Sequence, residues 1–267
     1  MIAWLFAAIP AVPTPVPFNI NPTAAPISER AVLEKGLGDA ENRAKTLGGT
    51  LGVTIVDVTT GVSAALNGDE NLPMAGVQHL PIAVLVYHAV DTGRLQMTHD
   101  THGLLSRMLD DDDDIAGDAL LDALGGSESA NAQLRALGYP AIFLAPGGAG
   151  YATPRALANL LADITNGKLL KPASSKALLN ELTGMRRAPG RLRAGFAPNV
   201  TLAHVPGTLS GGDDVNIATD DAGVASVNGR TVVVVAMLQA AHGGDAPRDA
   251  VIAGLAIIAT QATSTNP

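Results

Sequence analysis

The alternation of apolar and polar positions divides this chain into a helix, a hairpin, a helical block, a set of returning strands and a last helix. An amphipathic run from Ser28 to about Leu47, followed by two glycines, predicts the first helix. Two β-branched runs, 51–58 and 62–66, lie on either side of a Thr-Thr-Gly turn. This pattern predicts a β-hairpin.

A helical middle follows the hairpin. Apolar residues recur there at helical spacing, and one of the segments opens on Pro154, a residue favoured at the first helical position. The predicted helices cover residues 77–90, 103–109, 115–124, 153–165 and 172–182.

Strand-like sequence returns after residue 200. A Thr-Val-Val-Val-Val run near its end is typical of a central strand buried on both faces, and the apolar segment 247–261 predicts a closing helix. The predicted strands cover residues 200–204, 214–219, 223–227 and 230–238. Because strands lie on both sides of the helical block, we expect both ends of the chain to build one antiparallel sheet in an α+β fold.

The first 26 residues differ from the rest of the chain. Met1 to Ala11 is apolar and precedes a proline-rich stretch, which predicts a secretory signal segment and a linker. The first cationic residue is Arg30, so the basic start of such a signal is missing and an unstructured apolar tail is the alternative. We expect one domain over residues 27–267 and export to the periplasm, the cell envelope or the medium.

Composition narrows the classes of partner and chemistry. The net charge is −8 and no Lys/Arg stripe is present, which argues against nucleic acid and against membrane binding beyond the signal-like segment. The partner is therefore expected to be a small molecule or a protein of unknown identity. The chain has no cysteine, so disulfides, thiolate metal sites and cysteine nucleophiles are excluded. No cofactor is predicted.

Five short segments resemble, in the right order, motifs of the class A β-lactamase and D-alanyl-D-alanine peptidase family. They are Val53-Thr-Ile-Val-Asp-Val-Thr-Thr-Gly, Asn71-Leu-Pro-Met-Ala-Gly-Val-Gln-His79, Ile115-Ala-Gly-Asp-Ala-Leu-Leu121, Ala152-Thr-Pro-Arg-Ala-Leu-Ala158 and Arg193-Ala-Gly195. The resemblance spans residues 28–262 and implies a three-layer α/β/α sandwich in which the sheet packs on an all-helical block.

The resemblance also locates the family's nucleophile. Members acylate a serine that lies one helical turn before a lysine, so that the two side chains share a face. Aligned on Leu72-Pro-Met, the serine position is Gly76 and the lysine position is His79, and no Ser-x-x-Lys occurs anywhere in the chain. The resemblance therefore implies that the nucleophile is missing.

Two further catalytic motifs are altered. The S-D-N position holds Asp112, Asp113 and Asp114, and carboxylates cannot replace a proton-shuttling hydroxyl. The loop over residues 139–154, which in the family carries a glutamate that activates the deacylating water, contains no acid and no amide.

The K-[ST]-G motif is altered as well. It aligns with Val205-Pro-Gly-Thr208, which keeps Gly207 and Thr208 but replaces the lysine that binds the substrate carboxylate by Val205. His204 is expected on the opposite face of that strand. Because the aspartates of the S-D-N position lie nearby and no lysine offsets their charge, the pocket is expected to favour a cation or a neutral ligand.

These substitutions predict a catalytically inactive protein whose degenerate pocket has a binding or structural role. No catalytic residue and no metal ligand is predicted. The expected pocket residues are Gly76, His79, Asp112, Asp113, Asp114, Val205, Gly207 and Thr208.

Two alternatives stay open at this point. An active hydrolase with a rebuilt site would need His79 to act with Asp112 or Asp114 on a hydroxyl such as that of Ser210. The run Asp110 to Asp114 is read as a solvated acidic loop, with binding of a hard cation as the functional alternative.

Two other groups are interpreted as surface features. His99 and His102 are expected in an exposed loop, because His-x-x-His without a third ligand is a weak metal signal. A basic patch near residue 190 is expected to be a solvated face; its members are Arg186, Arg187, Arg191 and Arg193.

Overall fold

The computed structural model describes residues 28–210 and 216–265. The helices are α1 (Glu29–Thr46), α2 (His79–Asp91), α3 (His99–Asp111), α4 (Asp114–Ala123), α5 (Gly126–Ala136), α6 (Pro154–Thr165), α7 (Pro172–Thr183), α8 (Leu192–Gly195) and α9 (Asp245–Thr263). The strands are β1 (Thr50–Asp57), β2 (Ser63–Leu66), β3 (Leu72–Pro73), β4 (Ile142–Phe143), β5 (Tyr151–Ala152), β6 (Thr201–Ser210), β7 (Asn216–Val227) and β8 (Arg230–Gln239). The predicted signal segment and linker lie outside the described residues.

Both ends of the chain contribute to one five-stranded antiparallel sheet, in the order β2-β1-β8-β7-β6. The N-terminal hairpin joins the C-terminal strands through β1 and β8, where Val53 lies opposite Ala236. The valine-rich β8 is central and buried on both faces, as its sequence predicts. The predicted sheet is confirmed.

Helices cover both faces of this sheet. On one face α1, α8 and α9 pack on Leu51, Val53 and Val234. On the other, the helical block formed by α2 to α7 packs on Val205, Val233 and Val235. The alternation of side chains along each strand separates the two cores, so the molecule has the three layers of an α/β/α sandwich.

A second, small sheet lies beside the start of α2. Its strand order is β3-β5-β4, and both pairings are antiparallel. Leu72, Ile142 and Ala152 point inward and are buried. This sheet holds the segment that runs from β3 through a short 3₁₀ turn, Gly76–Gln78, into α2.

Some predicted elements have different bounds. Residues 216–219 of the predicted strand 214–219 and the predicted strand 223–227 belong to one strand, β7, because Asp220 and Asp221, which interrupt the apolar pattern, are fully buried and hydrogen-bonded. Residues 214 and 215 lie outside the described residues. His99 and His102 lie in α3, whose start is capped by the Thr98 hydroxyl, and not in a loop. The helix α5 and the three short strands β3, β4 and β5 have no counterpart among the predicted elements.

Among residues 28–210 and 216–265, no helix combines the length and the apolar character that a membrane-spanning helix needs.

Candidate functional site

The candidate site surrounds Gly76, at the turn between β3 and α2. Gly76 is buried, and a Cβ atom built on it would overlap Oδ1 of Asp112 and lie 3.1 Å from the carbonyl oxygen of Pro206. Real Cβ atoms essentially never approach a neighbour as closely as the Asp112 contact requires. The space that a side chain at position 76 would fill is therefore already occupied.

Strand β6 closes the same space from the other side. A Cβ atom on Gly207 would overlap the backbone nitrogen of Gly76 and lie 2.8 Å from both the Gly76 Cα atom and the Val77 nitrogen. Only a residue without a side chain permits this approach of two backbones. The turn and the strand are thus in direct backbone contact.

His79 lies three residues further on, at the start of α2, and its side chain is fully buried. A hydrogen bond of 3.1 Å joins its Nε2 atom to Oδ1 of Asp114. Its Nδ1 atom lies 3.3 Å from Oδ1 of Asp112, which is ion-pair distance, but the geometry there is not that of a hydrogen bond. Each ring nitrogen therefore faces a carboxylate.

This environment favours the imidazolium form. Burial alone would lower the pKa of His79, but the contacts with Asp112 and Asp114 outweigh burial, and the net effect raises the pKa above its usual value.

Asp112 connects α3 to α4 and carries the central carboxylate. Its backbone is left-handed, with φ 59° and ψ 35°, a conformation that aspartate tolerates better than most residues. Its Oδ2 atom pairs with Arg187 Nη1 at 2.8 Å, while Oδ1 faces His79. Burial would raise the pKa of Asp112, but His79 and Arg187 together hold it below its usual value.

The two neighbouring aspartates have different roles. Asp113 caps α4, where its Oδ1 atom accepts a hydrogen bond of 3.0 Å from the Ala116 nitrogen, and it also pairs with Arg107. Asp114 begins α4 and reaches back to His79. Asp112, Asp113 and Asp114 thus form a paired connection between two helices and not a solvated loop, whereas Asp110 and Asp111 are exposed at the end of α3. Asp113 is paired with Arg107 and not with His79.

An open cleft of about 370 Å³ lies next to this cluster. Three carboxylates and two guanidinium groups line it, so the reading of this pocket as an acidic wall without a basic anchor is wrong. The lining residues are Asp112, Arg187, Ala188, Arg191, Pro206, Gly207, Thr208, Asp245 and Asp249.

Arg191 is the most constrained of these residues, with only 4% of its surface exposed. Its guanidinium donates to Asp249 Oδ1 at 2.8 Å, to the Gly207 carbonyl at 2.6 Å and to the Asp220 carbonyl at 2.9 Å, and it also contacts the Thr208 hydroxyl. The reading of Arg191 as part of a solvated patch is therefore wrong. Of the same patch, Arg186 is exposed.

A buried carboxyl group lies beneath the turn and was not among the predicted site residues. Asp220 is fully buried, and it accepts hydrogen bonds from the Ala75 nitrogen at 3.2 Å and from Gln239 Nε2 at 3.3 Å. Burial raises the pKa of Asp220 to about 8. Its neighbour Asp221 points to the opposite face of β7 and pairs with His204 Nδ1 at 2.9 Å.

The loop between β4 and β5 is held by two amides from elsewhere in the chain. Gln78 Oε1 accepts a hydrogen bond of 3.2 Å from the Gly150 nitrogen. Asn131 exchanges two hydrogen bonds with the Leu144 backbone, at 2.8 and 2.9 Å. The loop itself has no acid or amide, so its contacts with the turn are made by backbone groups.

The structure brings together some of the predicted residues but not all of them. Gly76, His79, Asp112, Asp114 and Gly207 form one connected cluster, in which Gly76 adjoins Asp112 and Gly207 and His79 contacts both aspartates. Thr208 lines the adjacent cleft. Val205 is fully buried in the core between sheet and helices. In residues 28–210 and 216–265, no group of three His, Asp or Glu side chains could hold a metal ion.

Comparison with known proteins agrees with this architecture. The family model described as "Beta-lactamase enzyme family" matches residues 35–102 and 99–263. Beta-lactamase VEB-1 of Pseudomonas aeruginosa is 24% identical over 235 residues, which are 73% of this chain and 79% of the relative. Beta-lactamase AST-1 of Nocardia asteroides is 27% identical over 263 residues, which are 85% of this chain and 82% of the relative.

Solved structures give the same result. A beta-lactamase from Chitinophaga pinensis superposes with a TM-score of 0.80 at 23% identity, covering 86% of this chain and all of the other. An ancestral class A beta-lactamase of Gram-negative bacteria superposes with a TM-score of 0.76 at 28% identity, covering 86% of this chain and 99% of the other. The chain belongs to the beta-lactamase enzyme family.

Proposed function

We propose that this chain is a catalytically silent member of its family, with a degenerate pocket that binds a ligand or a protein or has a structural role. The observation that carries the proposal is the occupation of the nucleophile position. Gly76 stands where the family's acylated serine aligns, and the space beside it is filled by the Asp112 carboxylate and the Gly207 backbone.

The electrostatics of His79 support the proposal. Acyl transfer from a hydroxyl needs a neighbouring base with a free lone pair. Both ring nitrogens of His79 face carboxylates, and neither contacts a hydroxyl group of a described residue that it could deprotonate. At the position that aligns with the family's lysine, His79 thus pairs with the carboxylates of Asp112 and Asp114.

The remaining substitutions also support a loss of catalysis. The loop over residues 139–154 supplies no general base for hydrolysis of an acyl-enzyme. Val205, which aligns with the substrate-binding lysine, is buried in the core. Residues that act as a unit in catalysis leave little activity when several of them are lost.

The alternative is an active hydrolase with a rebuilt site around His79. That reading requires a hydroxyl group within hydrogen-bond reach of the imidazole. In the part of the chain that the structure describes, the polar contacts of the His79 side chain are Asp112 and Asp114, and neither Ser210 nor any other hydroxyl is among them. No observation favours this alternative.

Incubation of the full-length protein with a chromogenic cephalosporin and with a fluorescent penicillin tests the proposal. We expect no turnover of the cephalosporin, no fluorescent label and an unchanged intact mass. An active penicillin-recognising enzyme of the same family, treated in parallel, serves as the positive control for acylation. A covalent adduct on this chain would disprove the proposal and would identify the residue that replaces the serine.

We also infer that the protein is exported. The apolar segment Met1–Ala11 and the prolines that follow it support this inference. Expression with a C-terminal tag, followed by cell fractionation and N-terminal sequencing, tests it. Recovery of the uncleaved chain in the cytoplasm would contradict it.

A further inference from the structure

The outer face of the small β3-β5-β4 sheet carries a row of three rings. Pro73 lies opposite Tyr151, and Tyr151 lies opposite Phe143, so the three side chains follow one another across the strands. The residues that alternate with them, Leu72, Ala152 and Ile142, fill the inner face. An antiparallel sheet with one face in water normally places polar residues outside, so apolar residues on both faces need an explanation.

The exposed aromatic surface of the described chain is concentrated in this row. Tyr87, Tyr139 and Phe196 are buried at 4% to 6% exposure, whereas Phe143 and Tyr151 are 40% and 42% exposed. Their rings stack with centroids 4.8 Å apart and an interplanar angle of 15°. Such stacking covers the facing sides of the two rings, and their outer sides point in opposite directions.

Two clefts flank the row and share Asn71 and Tyr151. One, of about 450 Å³, is lined by Asp69, Asn71, Pro140, Ala141, Phe143, Tyr151 and Thr153. The other, of about 340 Å³, is lined by Asn71, Pro73, Ala149, Gly150 and Tyr151. The second cleft is mainly apolar, whereas the first combines apolar and polar groups in similar amounts.

The polar groups of the clefts indicate what kind of ligand fits. Asn71 is exposed, and its amide makes no hydrogen bond to any described residue, so it can both donate and accept. Asp69, a hydrogen-bond acceptor, is paired with Arg155 at 2.7 and 3.0 Å, which leaves the clefts without net charge. A ligand with both donors and acceptors, apolar C–H faces and no charge matches these features.

We propose that this ring row binds a neutral oligosaccharide. The polarised C–H groups on one face of a pyranose ring complement the electron-rich outer face of Phe143 or of Tyr151. Strands in a sheet are about 4.8 Å apart, so the row spans about 10 Å, and the cleft on each side of it offers space for one sugar ring of a longer chain. The hydroxyl groups of the sugar then meet the Asn71 amide, the Tyr151 hydroxyl and the Asp69 carboxylate.

Isothermal titration calorimetry of the full-length protein with cellotetraose and with chitotetraose, both uncharged, tests the proposal. We expect binding to at least one of them, with affinity reduced at least tenfold by Tyr151→Ala and by Asn71→Ala. The matched control is Ile115→Ala, which removes an apolar side chain that is 77% exposed on α4 and outside both clefts. Its affinity should equal that of the wild type.

Three outcomes would overturn the proposal. They are no binding of either saccharide, saccharide binding that both variants retain, and binding of a decamer of poly-L-proline in place of the sugars. Asn71→Ala keeps the test decisive if Tyr151→Ala fails to fold, because the Asn71 side chain is exposed and makes no hydrogen bond within the described residues. Penicillin labelling plays no part in this test, so its result is independent of the proposed loss of catalysis.

Discussion

The carboxylate of Asp112 lies where a side chain on Gly76 would have to be. In a family whose chemistry depends on a hydroxyl at this position, the two residues form a complementary pair. Gly76 provides no side chain, and the carboxylate of Asp112 fills the space that is left free. A side chain at position 76 would therefore compete with the Asp112 carboxylate for the same space, and this carboxylate is itself held by His79 and Arg187.

The first prediction concerns this pair. Gly76→Ser should lower the free energy of unfolding by about 1–3 kcal/mol, since overpacking a closed site forces neighbouring groups to move. The loss should be smaller in an Asp112→Ala background, although the Pro206 carbonyl still limits the space. Urea unfolding of the four proteins in a double-mutant cycle measures this coupling.

Gly103→Ala serves as the control for that cycle. A Cβ atom at Gly103, inside α3, meets nothing within 4 Å, so the substitution should stabilise the helix by up to about 1 kcal/mol. Additive effects of Gly76→Ser and Asp112→Ala would contradict the inferred competition for one space. Gly76→Ser is also expected to remain unlabelled by penicillin.

The second prediction is a pH dependence that arises from His79. Its pKa is raised in the folded protein, so its stabilising contribution is complete below the ordinary value of 6.5 and is lost as the pH rises through the folded value. The free energy of unfolding should therefore decrease above about pH 6.5. His79→Gln should be less stable than the wild type at pH 6 and should show a shallower decrease, of which the remaining part arises from Asp220.

Chemical unfolding between pH 5 and pH 9 provides the measurement. Asp112 affects the free energy of unfolding at lower pH. Its pKa is lowered, so its contribution is present above its ordinary value of 3.8 and is lost as the pH falls through the folded value. Equal slopes for the wild type and His79→Gln would show that the buried histidine is not charged.

The third prediction concerns Asp220. Its folded pKa of about 8 lies above the ordinary value of 3.8, so the folded state binds the extra proton between these values. Stability should then decrease as the pH rises through this range, by up to about 1.4 kcal/mol per pH unit. Asp220→Asn should flatten the curve from pH 4 to pH 8, because an amide stays neutral and Gln239 can present its oxygen to it.

Comparison of the wild type with Asp220→Asn at pH 5 and pH 8 is sufficient for this test. The variant should gain stability relative to the wild type at the higher pH. An Asp220→Asn protein whose stability follows that of the wild type at both values would mean that Asp220 is ionised in the fold.

The sheet and most helices could be predicted from sequence because their signals are local. The valines of β8 identify a central strand, and the Thr153-Pro154 pair identifies the start of α6. The β3-β5-β4 sheet could not be predicted, since strands of two residues have no measurable period.

The charges of the site were the least predictable part. The sequence predicts that the usual chemical groups are missing, because identities at aligned positions are visible. It does not reveal which charges meet. Asp112 and Arg187 are 75 positions apart, and whether an arginine is solvated or buried depends on tertiary contacts. A run of aspartates or arginines therefore reads as solvent-exposed until its partners are known.

The last prediction separates a buried arginine from an exposed one in the same segment. Arg191→Met should lower the free energy of unfolding by about 3–5 kcal/mol, because it leaves the Asp249 carboxylate and the carbonyls of Gly207 and Asp220 without their donor. Arg186→Met, a change of the same chemistry at an exposed position, should alter it by less than about 0.5 kcal/mol. Thermal and urea unfolding of both variants measures the difference. A small effect of Arg191→Met would mean that the cleft beside Gly207 is not organised by this guanidinium, and that water replaces it at little cost.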